Sequence, residues 1–394
     1  MKLSDIIQQI ASLGQSFTDI HIETGQPIML RISFGEWIEY KGADGYPVIV
    51  QHSAILGFIN GIYTGREDIR REEEAGLVWR RRLESQGSIH PAMTIWDAPP
   101  GSGQPQNQLR LRCSIQKQYM GDTIAIMVRP IPEVPSSVEE LGLPIQVNQL
   151  VASATQGLIV VTGPTGSGKS TTIAAMVEAI NNVRPVNILT IEDPIEYTYT
   201  RKKAIINQRE LLTDCPSFAQ GVRDAMRFVP EVIVVGEIRD KETMAATLRA
   251  AESGHLVLTT MHAPTTIGAI RKMVSLLDGS PADSQVLMSS LVAVIAQALL
   301  RRTDDTKEQN IRSNTLAYEF LNVKNKAVAQ YLTDAWKEES SLGKLEDILR
   351  SGGLPGGKCM TEVLKGLVEQ KRVTKKNAAL VCPYVEDRTS ILNM

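Results

Sequence analysis

The chain has four cysteines, Cys113, Cys215, Cys359 and Cys382, and no two of them form a CxxC pair. That spacing signals neither a zinc knuckle nor a disulfide framework, and a reducing cytoplasm suits it best. Charge of one sign is missing too: Lys+Arg 42 against Asp+Glu 44 leaves a formal −2. A protein built to coat nucleic acid usually carries a strong basic excess. Aromatic residues are only 5%. No apolar run is long enough to span a bilayer; the most apolar late stretch, "LVAVIAQALL", is far too short. The opening "MKLSDIIQQIASLGQ" puts Asp5 and several glutamines where a secretory signal needs hydrocarbon. A soluble chain is expected. No internal repeat is visible.

What is present divides the chain. At 394 residues with 43% hydrophobic residues, two domains plus an appendage are expected. Over residues 1–129, "DIHIETGQPIMLRIS", "QLRLRCSIQKQ" and "DTIAIMVRP" alternate as strands do. Between them lie a charged helical stretch, "REDIRREEEAGLVWRRRLES", and a Gly/Pro/Gln-rich loop, "DAPPGSGQPQNQ". Leu3, Ile6, Ile7, Ile10 and Leu13 make one apolar helix face, expected to pack on its own domain. Residues 130–144 carry four prolines and read as a linker. From 145 to 330 the texture becomes strand, helix, strand, helix. "GLIVVT", "NILTIED", "EVIVVGE" and "HLVLTTMH" are near-continuous apolar runs, the mark of parallel strands covered on both faces. Residues 331–394 read as helical and polar, with a last helix near Thr361 to Lys371.

The first of those strands runs into "GPTGSGKSTT". Gly163, four residues, then Gly168-Lys169-Ser170 is the spacing of a phosphate-binding P-loop. Gly163, Gly166 and Gly168 let backbone N–H groups turn toward phosphates with no Cβ in the way. Pro164, Thr165, Ser167 and Thr171 complete the loop. Lys169 reaches the outer phosphates, the Ser170 hydroxyl can ligate Mg²⁺, and the following helix adds its positive end. ATP with Mg²⁺ is the expected ligand.

Carboxylates follow two neighbouring strands. "TIEDPIE" puts Glu192, Asp193 and Glu196 past one, and "IVVGEIRD" puts Glu237 past another. An acid that holds the metal through water normally ends the second strand, ahead of a base that polarises the attacking water. Gly236 stands at the acid's position, so Glu237 is the expected base. Metal support then falls to the Glu192/Asp193 pair. His262 follows "LVLTTM", whose carboxyl end should face the same crevice, where it could sense the γ-phosphate. His255, before that strand, reads as structural.

In order, "GPTGSGKSTT", "TIEDPIEY", "NQRE", "VGEIRDKETMAATLRAAESGHLVLTTMHA" and "AYEFL" resemble the bacterial secretion-ATPase superfamily, from about Thr18 to Ala378. Within it, "CPSFAQGVRDAMRFVPEV" is similar to the Dot/Icm and IncI-type conjugation ATPases of type IVB secretion. The resemblance implies an α/β fold: a PAS-like N-terminal α+β domain hinged to a RecA-like P-loop domain with a helical C-terminal tail. It also implies a homohexamer, peripheral at the cytoplasmic face of the inner membrane, working with secretion or conjugation proteins there. Arginines are implied to act across its subunit interface, the matching basic positions being Arg110, Arg112 and Arg129; a solvated strand edge is the other reading. Two departures stand out. The usual Asp pair around the proline before the Walker B strand is Val229 and Glu231. The "IRNLIREGK"-type motif of pilus-retraction motors is replaced by "DAWKEESSLGKLEDILRS".

The leading expectation is therefore a motor that hydrolyses ATP to power a type IV secretion or conjugative apparatus, with pilus retraction as the alternative. A nucleic-acid translocase is a third reading. Arg70, Arg71 and Arg80 to Arg82 alternate with glutamates, so they read as a solvated helix face, and no direct nucleic-acid binding is expected. A nucleotide-gated docking module without turnover would not need Glu237.

Overall fold

In the computed structural model of the chain, the described residues are all except 1, 13–16, 33–35, 65–78, 86, 90, 97–107, 119–122, 131–133, 136, 279, 304–313 and 338–339. The chain splits into two compact units, Met1–Glu133 and Val134–Met394. The Gly/Pro/Gln-rich loop and most of the charged helical stretch lie outside the described residues; of the latter, 79–85 is helical.

The N-terminal unit is an antiparallel sheet with helices. Its strands are β1 (Phe17–Glu23), β2 (Met29–Ile32), β3 (Trp37–Glu39), β4 (Ser88–Ile89), β5 (Ala92–Trp96), β6 (Gln108–Gln118) and β7 (Thr123–Pro130). They run in the order β3-β2-β1-β7-β6-β4, with β5 also on β6. Leu3, Ile6, Ile7 and Ile10 of helix Leu3–Ser12 are buried with Ile20, Ile22, Ile115 and Ile126 of the sheet. Trp79 is buried and its indole N–H donates to Asn60 Oδ1 at 2.6 Å. Arg80, beside it, lies over the same indole ring.

The C-terminal unit carries β8 (Gly157–Thr162), β9 (Asn187–Glu192), β10 (Ile205–Glu210), β11 (Val232–Val235), β12 (Leu256–Met261), β13 (Leu291–Arg301), β14 (Asn314–Asn322) and β15 (Gly357–Lys358). Their order is β10-β9-β11-β12-β8-β13-β14-β15. From β10 to β13 neighbours are parallel, and β14 and β15 are antiparallel. Alternate residues explain the unbroken apolar runs. Leu158 and Val160 of β8 join one core cluster, Ile159 and Val161 the other; Ile233 and Val235 of β11 oppose Val232 and Val234 in the same way. Burying each such aliphatic side chain contributes roughly 1.5–3 kcal/mol.

"LVAVIAQALL" is most of β13, buried along nearly its whole length. Val138 and Leu143, from the proline-bearing stretch, are buried in the C-terminal unit's core, and Glu139–Leu141 between them forms a 3₁₀ turn. The helix expected at Thr361 to Lys371 is Met360–Glu369, and it is not the last: Lys375–Val381 and Val385–Leu392 follow. Leu345, Leu349, Leu364 and Leu367 of these C-terminal helices share a core cluster with Ile233 and Val257 of the sheet. Among the described residues, no helix is long and apolar enough to cross a membrane.

Val229 occupies the left-handed region at φ 49° and is 80% exposed. The chain turns there from the Met226–Phe228 turn into β11. A β-branched residue is poorly suited to this conformation, whereas Asn and Asp tolerate it, which gives the superfamily's usual Asp here a backbone reason. Val229→Asn should stabilise the C-terminal unit by about 1 kcal/mol. Chemical denaturation would register this as a higher midpoint at unchanged slope, and a lower midpoint would contradict it.

Candidate active site

Six consecutive buried residues carry β8 to Thr162, and the chain then turns so tightly that only glycine fits. At Gly163, φ is 150°, and an added Cβ would lie 2.3 Å from the Gln297 carbonyl oxygen of β13 and 2.7 Å from Ser167 Oγ. Gln297 holds the loop from that side. Its Nε2 donates to the Ser167 carbonyl at 2.6 Å, and its Oε1 accepts from Thr172 Oγ1 at 2.9 Å. Gly168, at φ 85°, starts helix Lys169–Val183.

The Lys169 ammonium donates to the carbonyls of Gly163 and Pro164, each at 3.0 Å. Burial lowers its pKa, against the opposing charge of Glu196. Ser170 is exposed at the helix start, and Thr171 Oγ1 lies 2.8 Å from Tyr197 Oη. Thr165, Gly166, Gly168, Lys169, Ser170 and Thr171 line a cavity of about 540 Å³.

The parallel order β9-β11-β12-β8 brings four strand ends to the mouth of that cavity, and the acids and histidine of β9, β11 and β12 line it. Glu192, at the end of β9, is held from within: its Oε1 accepts from Thr190 Oγ1 at 2.6 Å and Gln208 Nε2 at 3.0 Å. Burial raises its pKa, and those two bonds lower it. Asp193 follows, with a cis bond to Pro194. A side chain at Gly236 would be tight: a Cβ there would meet the Ile191 carbonyl at 3.1 Å and the Phe218 ring at 3.2 Å.

Glu237 is ion-paired with Arg239, whose guanidinium also lies 3.8 Å from Asp193 Oδ2. Arg239 was not among the residues singled out from sequence. The available signal was its place two residues after the acid in "GEIRD", a spacing that puts side chains on one side of an extended chain. His262 Nε2 stands 3.6 Å from Glu237 Oε2, too far for a direct hydrogen bond. Burial and the charges of Lys169, Lys272 and Arg239 lower its pKa, opposed by a hydrogen bond to the Gly163 backbone. The loop behind it is pinned: Ala263 N donates to Thr162 Oγ1 at 2.7 Å, and that hydroxyl donates back to the Ala263 carbonyl at 2.9 Å. His255, at the opposite end of β12, has its Nδ1 at 3.0 Å from both Ser253 Oγ and the Ala250 carbonyl.

Arg110, Arg112 and Arg129 belong to the N-terminal unit. Arg112 on β6 is the cross-strand partner of Arg129 on β7. Arg129 Nη2 and Nε reach buried Asp19 Oδ1 at 2.6 and 2.8 Å. Arg110 pairs with Thr94 of β5 along the backbone.

A glycine cradle that opens on a helix start suits phosphates, and its strand order puts the C-terminal unit among RecA-like P-loop ATPases. A family model described as "Type II/IV secretion system protein" matches residues 103–379. The chain is 36% identical over 375 residues to the type IV pilus retraction ATPase PilT of Pseudomonas aeruginosa, a match spanning 95% of this chain and 97% of that protein. It is 40% identical over 259 residues to a twitching motility protein of Neisseria gonorrhoeae, spanning 64% of this chain and 65% of that one. Among solved structures it matches the pilus retraction motor PilT with bound ADP at a TM-score of 0.78, with 33% identity and 98% of each chain covered. The Legionella pneumophila ATPase DotB gives 0.71, 25% identity and coverage of 96% of this chain and 94% of that one. The chain belongs to the type II/IV secretion system protein family, and it is a secretion-type P-loop ATPase.

Gly236→Asp would restore the usual strand-end acid, yet its Cβ would already press on the Ile191 carbonyl, the Phe218 ring and the Glu192 Cα. Overpacking of this kind costs roughly 1–3 kcal/mol. The variant should melt earlier and hydrolyse ATP more slowly than the parent; equal stability with faster turnover would refute the steric account.

Proposed function

We propose that this chain is the ATP-hydrolysing motor of a type IV secretion or conjugative transfer apparatus of the type IVB kind, working as a homohexamer at the cytoplasmic face of the inner membrane through partner proteins. The observation that carries turnover, rather than mere binding, is Glu237 beside the P-loop with Arg239 and His262 against it. A motor is favoured over a docking module because full-length relatives include a pilus retraction ATPase and a pilus retraction motor.

In this reading the triphosphate lies along residues 163–171, and Lys169 exchanges its two carbonyls for the outer phosphate oxygens. Ser170 and Asp193 would hold Mg²⁺; a hydroxyl and a carboxylate lining the same cavity fit a hard cation that takes oxygen ligands. That ion neutralises charge on the β- and γ-phosphates when bound. Glu237 orients the attacking water and accepts its proton, and the γ-phosphoryl leaves ADP as phosphate. The arriving phosphates compete for Arg239, freeing the Glu237 carboxylate to act. His262, its pKa lowered by burial and the surrounding cations, senses the γ-phosphate. Glu192 supports the same edge from its half-buried position. Arg110, Arg112 and Arg129 are proposed to serve a neighbouring subunit's ATP.

Pilus retraction is the second reading, favoured by the 36% identity to the Pseudomonas aeruginosa retraction ATPase over nearly the whole of both chains. The replaced "IRNLIREGK"-type motif weighs for secretion. Deleting the gene in its host separates them: loss of conjugal transfer or effector export supports the first, and lost twitching with surplus surface pili supports the second.

Glu237→Gln keeps shape and removes the base, so ATP should bind with near-parental affinity while turnover falls about 10²–10⁴-fold. A parental rate would make another carboxylate the base, Glu192 first.

Lys169→Ala and an arginine→Ala subunit (Arg110, Arg112 or Arg129) should each be inactive alone. After brief dissociation and remixing, interfaces that pair an intact P-loop with an intact arginine should restore part of the ATPase activity. A trans-acting arginine contributes roughly a thousandfold or more, so even a minority of such interfaces would register. No recovery with proven mixing would assign these arginines to their own unit.

A further inference from the structure

Glu319 is completely buried on β14, and four hydrogen-bond donors converge on its carboxylate. Thr266 supplies two, its backbone N–H at 2.8 Å and its Oγ1 at 2.7 Å, both to Oε1. Tyr384 Oη donates to Oε2 at 2.7 Å, and the Met360 N–H approaches the same oxygen at 3.4 Å. Burial pushes its pKa up, and these hydrogen bonds pull the other way.

The two oxygens lead in different directions. Oε1 holds the first residue of helix Thr266–Leu276, four residues after His262. The register fixes the distance to the P-loop: Glu319 pairs with Ala296 of β13, and Ala296 pairs with Thr162, the last residue of β8. Thr162 clamps Ala263, so the segment from His262 to Thr266 is tied at both ends, by Thr162 and by Glu319. Oε2 faces the C-terminal helices. Met360 begins helix Met360–Glu369, and Tyr384 precedes helix Val385–Leu392. The Arg350 guanidinium lies 4.9 Å from the Tyr384 ring and donates to Asp387, which also accepts from Thr361 Oγ1 at 2.6 Å.

We propose that Glu319 is a positioning residue through which the C-terminal helices set the placement of His262 against Glu237. The proposal rests on the role given to His262 above. It makes the helical tail a control element for turnover: a force or partner that shifts Tyr384 changes one oxygen's environment and thereby the other's hold on the His262 segment.

Steady-state ATP hydrolysis by the full chain tests it. Tyr384→Phe deletes a single donor and keeps the ring on Arg350. It should lower kcat about tenfold while KM for ATP changes less than twofold, because misplacing a catalytic group by a fraction of an ångström costs rate more than binding. Glu319→Gln, which turns an N–H₂ group toward donors, should show the same split more strongly. If it fails to fold, Tyr384→Phe alone carries the test. His262→Ala should lower kcat, and adding Tyr384→Phe to it should then have no further effect, since a coupled pair is not additive. Tyr384→Phe with parental kcat, or with KM rising in step with the loss, overturns the positioning role while the site stands. His262→Ala with parental kcat overturns the role of His262 and this proposal together. Two losses that multiply mean Tyr384 acts by another route and overturn the proposal as well.

Discussion

Between Gly163 and the carbonyl of Gln297 there is no space for a single carbon atom, and the phosphate-binding loop takes its shape from that closeness. A side chain at 163 would push β8 away from β13. The two bonds from the Gln297 amide, to Ser167 and Thr172, would then have to stretch or break. With the loop anchored on β13, the ends of β12, β11 and β9 follow in order on its other side. Strand order thus sets the distances among Lys169, His262, Glu237 and Asp193. The chemistry inherits its precision from a contact that itself does no chemistry.

Charge at this edge is arranged in opposition. Lys169 and Arg239 lie with Glu237, Asp193 and Glu196 around one cavity, so no acid there stands unanswered. Half-buried Glu192 takes its stabilisation from neutral donors instead, a hydroxyl and an amide. Two kinds of carboxylate therefore sit side by side: one tied by fixed dipoles, the other by a half-exposed cation that an incoming anion can draw away. The second kind suits a group that must change its bonding in each cycle.

The P-loop, the parallel strands and the acids at their ends were legible because each leaves a local mark: glycines at set intervals, unbroken apolar runs, an acid after a run. β13 was harder. "LVAVIAQALL" has the length of a short helix, so only its pairing with β8 and β14 identifies it. Gln297 inside it looks like a blemish in an apolar stretch until Ser167 and Thr172 are set against it. Glu319 shows the same limit, since its partners lie 53, 41 and 65 residues away and no spacing rule spans such distances. Val138 and Leu143 were hidden by the prolines around them, which argue for a connector although the apolar residues between them are core.

Arg112 and Arg129 face each other across two antiparallel strands, and like charges set directly opposite repel at a cost of a few tenths to about 1 kcal/mol. Asp19 answers Arg129 from a buried position, at 2.6 and 2.8 Å, and its other oxygen stands 3.8 Å from the Arg31 guanidinium. One carboxylate on β1 thus holds arginines from the strands on either side of it, Arg31 of β2 and Arg129 of β7. Removing that carboxylate would strip an ion-pair partner from both sides of β1 at once, so one small side chain fastens three strands together.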